Sequence, residues 1–189
     1  GGIVGYHRFL NKLWDQVVQY EKDYEHVAVQ DLDVDQMSDT ENRIFRLTHA
    51  TIKKVTEDVE ESWHFNTAIA AVMELFNEIQ ELDLLPGYAE VDDAEELRKF
   101  NVFRFGIEKI ILMLSPFVPH ISEELWTVIG HGPGILKREW PEWDEELVKF
   151  EQVEMPVQVN GKMRGKLTVE RDAEEDVVKG KALELDGVK

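Results

Sequence analysis

Apolar residues recur at three- and four-residue steps through the first part of the chain. Tyr6, Phe9, Leu10, Leu13, Trp14, Val17, Tyr20, Tyr24 and Val27 form one such series, which predicts a long amphipathic helix. The acidic segment 30–37 interrupts it. Ser38-Asp39-Thr40-Glu41 then reads as a capping box, in which the Ser hydroxyl serves an orphan amide and the Glu carboxylate reaches back. The helix it opens turns Ile44, Leu47, Thr51, Val55 and Val59 inward. Asn66 is expected to cap a third helix, with Ile69, Val72, Met73, Phe76 and Ile79 facing the core and Ala68, Ala70 and Ala71 permitting close helix approach. Pro86-Gly87 marks a loop. A fourth helix starts near Asp92 or Asp93 and runs through Leu97, Phe100, Phe103, Ile107, Ile110, Ile111 and Leu114. It ends at Ser115-Pro116, because the residue before a proline disfavours the helical region. Pro119 suits the first turn of a fifth helix, which carries Ile121, Leu125 and Trp126 and stops at Gly130. Four or five amphipathic helices with modest loops predict a mainly α protein, a helix bundle.

The pattern changes after Gly130. Gly132-Pro133-Gly134 and Trp140-Pro141-Glu142-Trp143 read as an ordered connector lying on the bundle. From Met155 the alternation has period two, and from Asp172 to Leu183 it is helical again. The expected division is a helical bundle over 1–131, a connector packed on it over 132–153, and the start of a small α/β domain with a β-hairpin over 154–189. In the hairpin, a two-residue turn at Asn160-Gly161 pairs Val159 with Lys162 and Val157 with Arg164, mixing valines and cations on one face. A three-residue loop pairs Val159 with Met163, Val157 with Gly165 and Met155 with Leu167, separating an apolar from a polar face. The bulged three-residue loop is therefore expected, with Arg164 and Lys166 on the polar face and Lys162 at the turn.

Charge sharpens this picture. The chain carries 39 acidic and 21 basic residues, a formal charge of −18. Yet between Met155 and Val169 stand Lys162, Arg164 and Lys166 and no acidic residue. The acid excess is read as serving solubility, or as fitting a salt-rich cytoplasm, and it disfavours non-specific nucleic-acid binding. Any RNA contact must be local. The stripe has two readings: successive phosphate contacts, or a solvated edge whose lysines discourage edge-to-edge pairing. No apolar run approaches the roughly 20 residues that span a bilayer, and no signal peptide opens the chain. Absence of cysteine excludes disulfides and thiolate metal sites and fits an intracellular, cytoplasmic protein. The Gly1-Gly2 start without Met reads as an excised segment or a tag remnant.

Catalytic chemistry is not indicated. His7, His26, His49, His64, His120 and His131 include no pair at the i, i+4 spacing of a helical metal site, so structural or surface roles are expected. Ser122-Glu123-Glu124 is read as acids complementing a helix macrodipole, and Asp92-Asp93 and Glu145-Glu146 as solvated faces. There is no nucleophile elbow, phosphate-cradling glycine loop or EF-hand spacing.

Several segments together resemble a known family. Leu114-Ser115-Pro116-Phe117-Val118-Pro119-His120-Ile121-Ser122-Glu123-Glu124-Leu125-Trp126 is similar to the anticodon-binding region of the leucyl, isoleucyl and valyl class I aminoacyl-tRNA synthetases. Trp140-Pro141 with Asp144-Glu145, and Phe9-Leu10-Asn11-Lys12-Leu13-Trp14, are similar to other parts of those enzymes. Thr51 to Asp58, Phe65 to Met73, and Val159-Asn160-Gly161-Lys162 with Arg164-Gly165-Lys166 resemble the bacterial leucyl type in particular. Gly161 to Lys166 also resembles the Lys-Met-Ser-Lys-Ser loop of the family, but lacks its serines and lies in a hairpin. Gly130-His131-Gly132 lacks the second histidine of the partner His-x-Gly-His signature. Ala50 departs from the polar or basic residue common in the family.

The resemblance covers nearly the whole chain, in order. It implies a fragment of leucyl-tRNA synthetase: the helical anticodon-binding-type bundle plus the start of a truncated C-terminal α/β segment. The parent enzyme activates leucine with ATP and attaches it to tRNA(Leu). The catalytic core, with its ATP and Mg, and the editing domain are expected before residue 1, so this chain alone should be inactive and hold no cofactor or metal. The bundle is expected on the inner side of the tRNA L, without base reading at the anticodon. The implied RNA-binding residues are Lys162, Arg164 and Lys166, with Arg8, Lys12, Lys53 and Lys54. The expected partners are tRNA(Leu) and the catalytic and editing domains of the same parent chain, with no membrane. A valyl or isoleucyl fragment is the alternative within the class, and an acidic helical protein-interaction module the alternative outside it.

Overall fold

The capping box forms as the sequence predicts. The Ser38 amide donates to Glu41 Oε2 at 2.7 Å, and the Glu41 amide donates to Ser38 Oγ at 3.3 Å. The computed structural model describes residues 2–60, 64–149, 152–159, 162–170 and 175–184. The helices are α1 (Gly2–Gln19), α2 (Glu21–His26), α3 (Asp39–Glu60), α4 (Phe65–Ile79), α5 (Ala94–Leu114), α6 (Pro119–Val128), α7 (Glu145–Lys149) and α8 (Glu175–Glu184), with strands β1 (Gln152–Val159) and β2 (Lys162–Glu170). They fall into two compact units, Gly1–Trp143 and Asp144–Lys189.

In the first unit, α3 packs on α4 and α5, α4 packs on α5, and α6 packs on α5 and α1. Asp93 caps α5 by accepting from the amides of Glu95 and Glu96 at 2.9 and 3.1 Å. Pro119 opens α6 in the first turn, where its missing N–H costs nothing. The core runs through Leu13, Ile44, Ile52, Leu75, Phe100, Phe103, Ile107, Ile110 and Leu125, all buried. On α3 the buried face is wider than the periodicity indicated, because the helix lies against two neighbours. Phe45, Thr48 and Ile52 join Ile44, Thr51 and Val55, while Leu47 and Val59 are half-buried.

Three expectations need correction. The first helix breaks at Tyr20, whose hydroxyl donates to Leu84 O at 2.8 Å, and resumes as α2 with Tyr24 still buried. Asn66 is not the cap of α4. His64 holds that position without a side-chain cap, and its carbonyl accepts from the Ala68 amide at 3.1 Å. Asn66 instead lies inside the first turn, where its Oδ1 accepts from the Tyr6 hydroxyl at 3.5 Å. The third concerns the hairpin. Val157 pairs with Gly165 and Met155 with Leu167, as the polar–apolar argument required. But Gln158 pairs with Met163 and Val159 with Lys162, so the extra residue is a bulge at Arg164 within β2, not part of a three-residue loop. A bulge reconciles the two-residue spacing Asn160-Gly161 with an apolar outer register, since it shifts the alternation by one. The turn residues themselves lie outside the described residues.

Gly106 on α5 allows close approach of α4 and α3 in the bundle core. A Cβ there would stand 2.6 Å from Ile79 Cδ1, 3.3 Å from Ile79 Cγ1 and 3.6 Å from Thr48 Oγ1. Gly106→Ala is expected to lower stability by roughly 1 kcal/mol, an overpacking cost partly offset by alanine's helix propensity. Ile79→Val removes the clashing methyl and alone costs about 1 kcal/mol. In the double variant the two losses should not add. Urea midpoints of the four proteins check this, and strict additivity would contradict the close contact.

Candidate functional site

Several cations of the helical unit are engaged by carboxylates or carbonyls. Arg43 pairs with Glu78, Arg98 with Glu41, Lys99 with Glu96 and Lys109 with Glu108. Arg104 donates to the carbonyls of Val27 and Tyr24 at 2.8 and 3.1 Å, fastening the end of α2 to α5. The exposed cations described in this unit are Arg8, Lys12, Lys22, Lys54, Lys137 and Arg138.

On α1, Arg8 and Lys12 are exposed. Four residues apart, they lie one turn above the other on one face. Beside them, Asn11 Nδ2 and His7 Nδ1 are 3.2 Å apart. No acidic residue precedes Asp15. On α3, Lys54 is exposed and Lys53 half-buried. Arg46, half-buried with its Nε donating to Asn42 Oδ1, lies on the same helix, and sequence reasoning did not single it out. Seven residues separate it from Lys53, placing both on one face about 10 Å apart along the axis, with the small Ala50 between. The signal was available: Asn42 to Thr56 contains Arg43, Arg46, Lys53 and Lys54 and no acid. The structure thus brings Arg8 together with Lys12, and Arg46 with Lys53 and Lys54. It does not join the two groups, since α4 lies between their helices, touching α1 through Phe9–Phe76 (5.4 Å) and packing along α3.

In the second unit, Lys166 is exposed and stands opposite Pro156. Lys162 stands opposite Val159, and Arg164 occupies the bulge. The side chains of Lys162 and Arg164 lie outside the described residues. Because the bulge interrupts the alternation, every-second spacing alone does not put the three cations on one face. Leu167 is buried, Met155 is 43% exposed, and α8 packs on β2.

The acidic motifs acquire specific roles. The Glu123 carboxylate accepts from the amides of Gly134 and Ile135 at 2.5 and 2.9 Å. These two bonds, with Arg138 adding to them, hold its carboxyl below the usual carboxylate range. Glu123 is thus a loop anchor, not a complement to the helix dipole. His131 stacks on Trp126 with centroids 3.9 Å apart, and its Nε2 is 3.1 Å from Glu108 Oε2. His49 is buried between Phe45 and Phe105 at 4.9 and 5.5 Å. Among the described residues no group of three metal-ligating side chains converges, and no helix is long and apolar enough to cross a membrane.

Comparison with known proteins adds the following. Residues 41–179 match the family described as the anticodon-binding domain of tRNA ligase. A leucine–tRNA ligase of Geobacter sp. strain M21 is 42% identical over 188 residues, covering 100% of this chain and 22% of that protein. That of Desulforapulum autotrophicum is 38% identical over 182 residues, covering 96% and 20%. A LeuRS of Agrobacterium radiobacter K84, solved in a ternary complex with tRNA and LeuAMS, superposes with a TM-score of 0.58 at 28% identity, over 100% of this chain and 22% of that one. The chain spans about a fifth of the length of the curated relatives it matches.

Proposed function

The chain belongs to the anticodon-binding domain family of tRNA ligases, and on that footing we propose that it is the tRNA-binding portion of a leucine–tRNA ligase. The parent enzyme would activate leucine with ATP and attach it to tRNA(Leu). One observation carries the leucine assignment: the chain aligns end to end, bundle and hairpin in one order, with a protein named as a leucine–tRNA ligase. The steps that use ATP and Mg belong to the catalytic part of the parent. This chain by itself binds and positions tRNA and does not aminoacylate it. Its further partners are the catalytic and editing domains of the same parent.

The physical role is backbone positioning. Lys162, Arg164 and Lys166 of the hairpin, and Arg8, Lys12, Lys53 and Lys54 of the bundle, supply cations for phosphates, which fix register without reading sequence. The overall charge of −18 opposes approach, but beyond about 8 Å it is screened at physiological ionic strength. Local contacts therefore decide binding.

Equilibrium binding of a leucine-accepting tRNA transcript, measured against salt, tests this. Affinity should fall as salt rises. Changing Lys162, Arg164 and Lys166 together to Ala should flatten the log–log slope by roughly 0.7 to 0.9 for each phosphate no longer neutralised. Superimposable curves for the two proteins would remove the hairpin from the interface.

A further inference from the structure

The loop that follows α6 is rich in glycine, with Gly130, Gly132 and Gly134, a composition that ordinarily leaves a loop free to move. Here it is fastened along its length. His131 lies flat on Trp126 at 3.9 Å and reaches Glu108 at 3.1 Å. Its amide donates to Trp126 O at 3.2 Å. Glu123 grips the amides of Gly134 and Ile135 at 2.5 and 2.9 Å, and Ile135 is 1% exposed. Gly134 adopts φ +97, which a residue with a Cβ rarely takes.

What this fastening presents is sorted by charge. Both loop-facing carboxylates, Glu108 and Glu123, are engaged with the loop itself. Lys137 and Arg138 are exposed, beside Leu136 at 64% exposure; Arg138 Nη2 also donates to Gly132 O at 3.4 Å, and the exposed Glu139 follows. From Leu125 to Arg138 there is no acidic residue. In a chain of charge −18, a fastened turn whose nearby carboxylates are engaged, Glu123 by the Gly134 and Ile135 amides and Glu108 by His131 and Lys109, and which exposes two adjacent cations, is complementary to a polyanion. We propose that the turn 134–138 is an RNA-contacting knuckle, in which Lys137 and Arg138 meet successive phosphates and Leu136 packs on the intervening ribose. Glu123 is its positioning residue. This rests on the tRNA-binding reading above and adds a contact that the sequence stripe did not contain. Rigidity matters because a pre-ordered loop loses little conformational freedom on binding.

The test is the same tRNA titration against salt with the 189-residue chain. Lys137→Ala should reduce the slope by roughly 0.7 to 0.9, the value for one phosphate contact. Lys137→Ala with Arg138→Ala should reduce it about twice as much. Lys22→Ala, which removes an exposed cation of α2, should leave the slope unchanged. Glu123→Gln is the decisive variant. It removes a negative charge, so a long-range field alone would tighten binding, whereas loss of the loop anchor weakens it. Tighter binding by Glu123→Gln, or slopes unchanged in the Lys137 and Arg138 variants while wild type binds, would overturn the knuckle and leave the tRNA reading intact. Weakening of Lys22→Ala by as much would overturn it equally, since any cation would then serve. Absence of wild-type binding would overturn the tRNA reading, and the knuckle with it.

Discussion

Replacing Arg98 with Met is expected to destabilise the bundle by about 3–5 kcal/mol, the cost of leaving a buried carboxylate without its counter-charge. The carboxylate is Glu41, 3% exposed. Arg98 Nε and Nη2 donate to its two oxygens at 3.2 Å each, and the Ser38 amide donates at 2.7 Å. One side chain thus closes the capping box of α3 and ties that end to the first turns of α5. Burial by itself would raise the Glu41 carboxyl. The Ser38 hydroxyl and amide, followed by Arg98, outweigh burial and hold it below its ordinary 4.5. A folded-state value below the unfolded one means that the unfolded chain binds more protons in the window between them. The stabilisation is therefore present above pH 4.5 and is lost as pH falls through the folded value. Urea unfolding of both proteins across that window should show the gap between wild type and Arg98→Met narrowing as acid is added. A gap unchanged at the acid end would mean that the pair contributes packing and not charge.

Asp23→Ala should cost about 3 kcal/mol, because two part-buried hydrogen bonds from loop amides to a charged acceptor are lost. Asp23 is 2% exposed, and its oxygens accept from the amides of Gly87 and Ala89 at 3.0 and 2.9 Å. Gly87 sits at φ +120, so the loop between α4 and α5 makes a sharp turn that this carboxylate completes. The Tyr20 hydroxyl holds the same loop through Leu84 O, and burial, with Asp23 and Asp83 nearby, pushes it up to about 12. Asp23→Asn keeps an acceptor and should lose roughly half as much. Hydrogen exchange at the Gly87 and Ala89 amides gives a site-specific reading. Exchange as slow in Asp23→Ala as in wild type would show that the carboxylate does not hold the loop.

Neither anchor is visible in the linear chain. Asp23 sits in a run of charged residues, Glu21 to Glu25, that looks like a solvated face. Its partners lie 64 and 66 residues away. The capping role of Glu41 is legible because Ser38 is three residues off, whereas Arg98, 57 residues away, gives no sign. Glu123 reads as a dipole complement because helix-end chemistry is local. The anchoring it performs depends on where residues 134 and 135 return. The break at Tyr20 is hidden because Tyr24 and Val27 stay buried across it, so the apolar series continues although the helix does not.

In the candidate site, the exposed pair Arg8 and Lys12 and the neighbours Lys53 and Lys54 are legible from helical spacing. Arg46 escapes because it stands seven residues from Lys53 in the chain, and only the helical rise and turn bring the two onto one face. The bulge at Arg164 escapes because alternation of apolar residues constrains the outer register and leaves open whether the extra residue sits in the turn or in the strand.

By itself, the sequence determined that α3 is opened by the Ser38 capping box, that α5 starts near Asp92 or Asp93 and α6 at Pro119, that a bundle precedes a hairpin, and that cations cluster against a strongly acidic background. These follow from caps within three or four residues and from periods of 3.6 and 2, all short-range properties of the chain. Tertiary structure alone decided which carboxylates are anchors, that α4 separates the cations of α1 from those of α3, and that the loop after α6 is fastened by Glu123 and His131. Those depend on hydrogen-bond partners 11 to 66 residues distant, which no local pattern encodes.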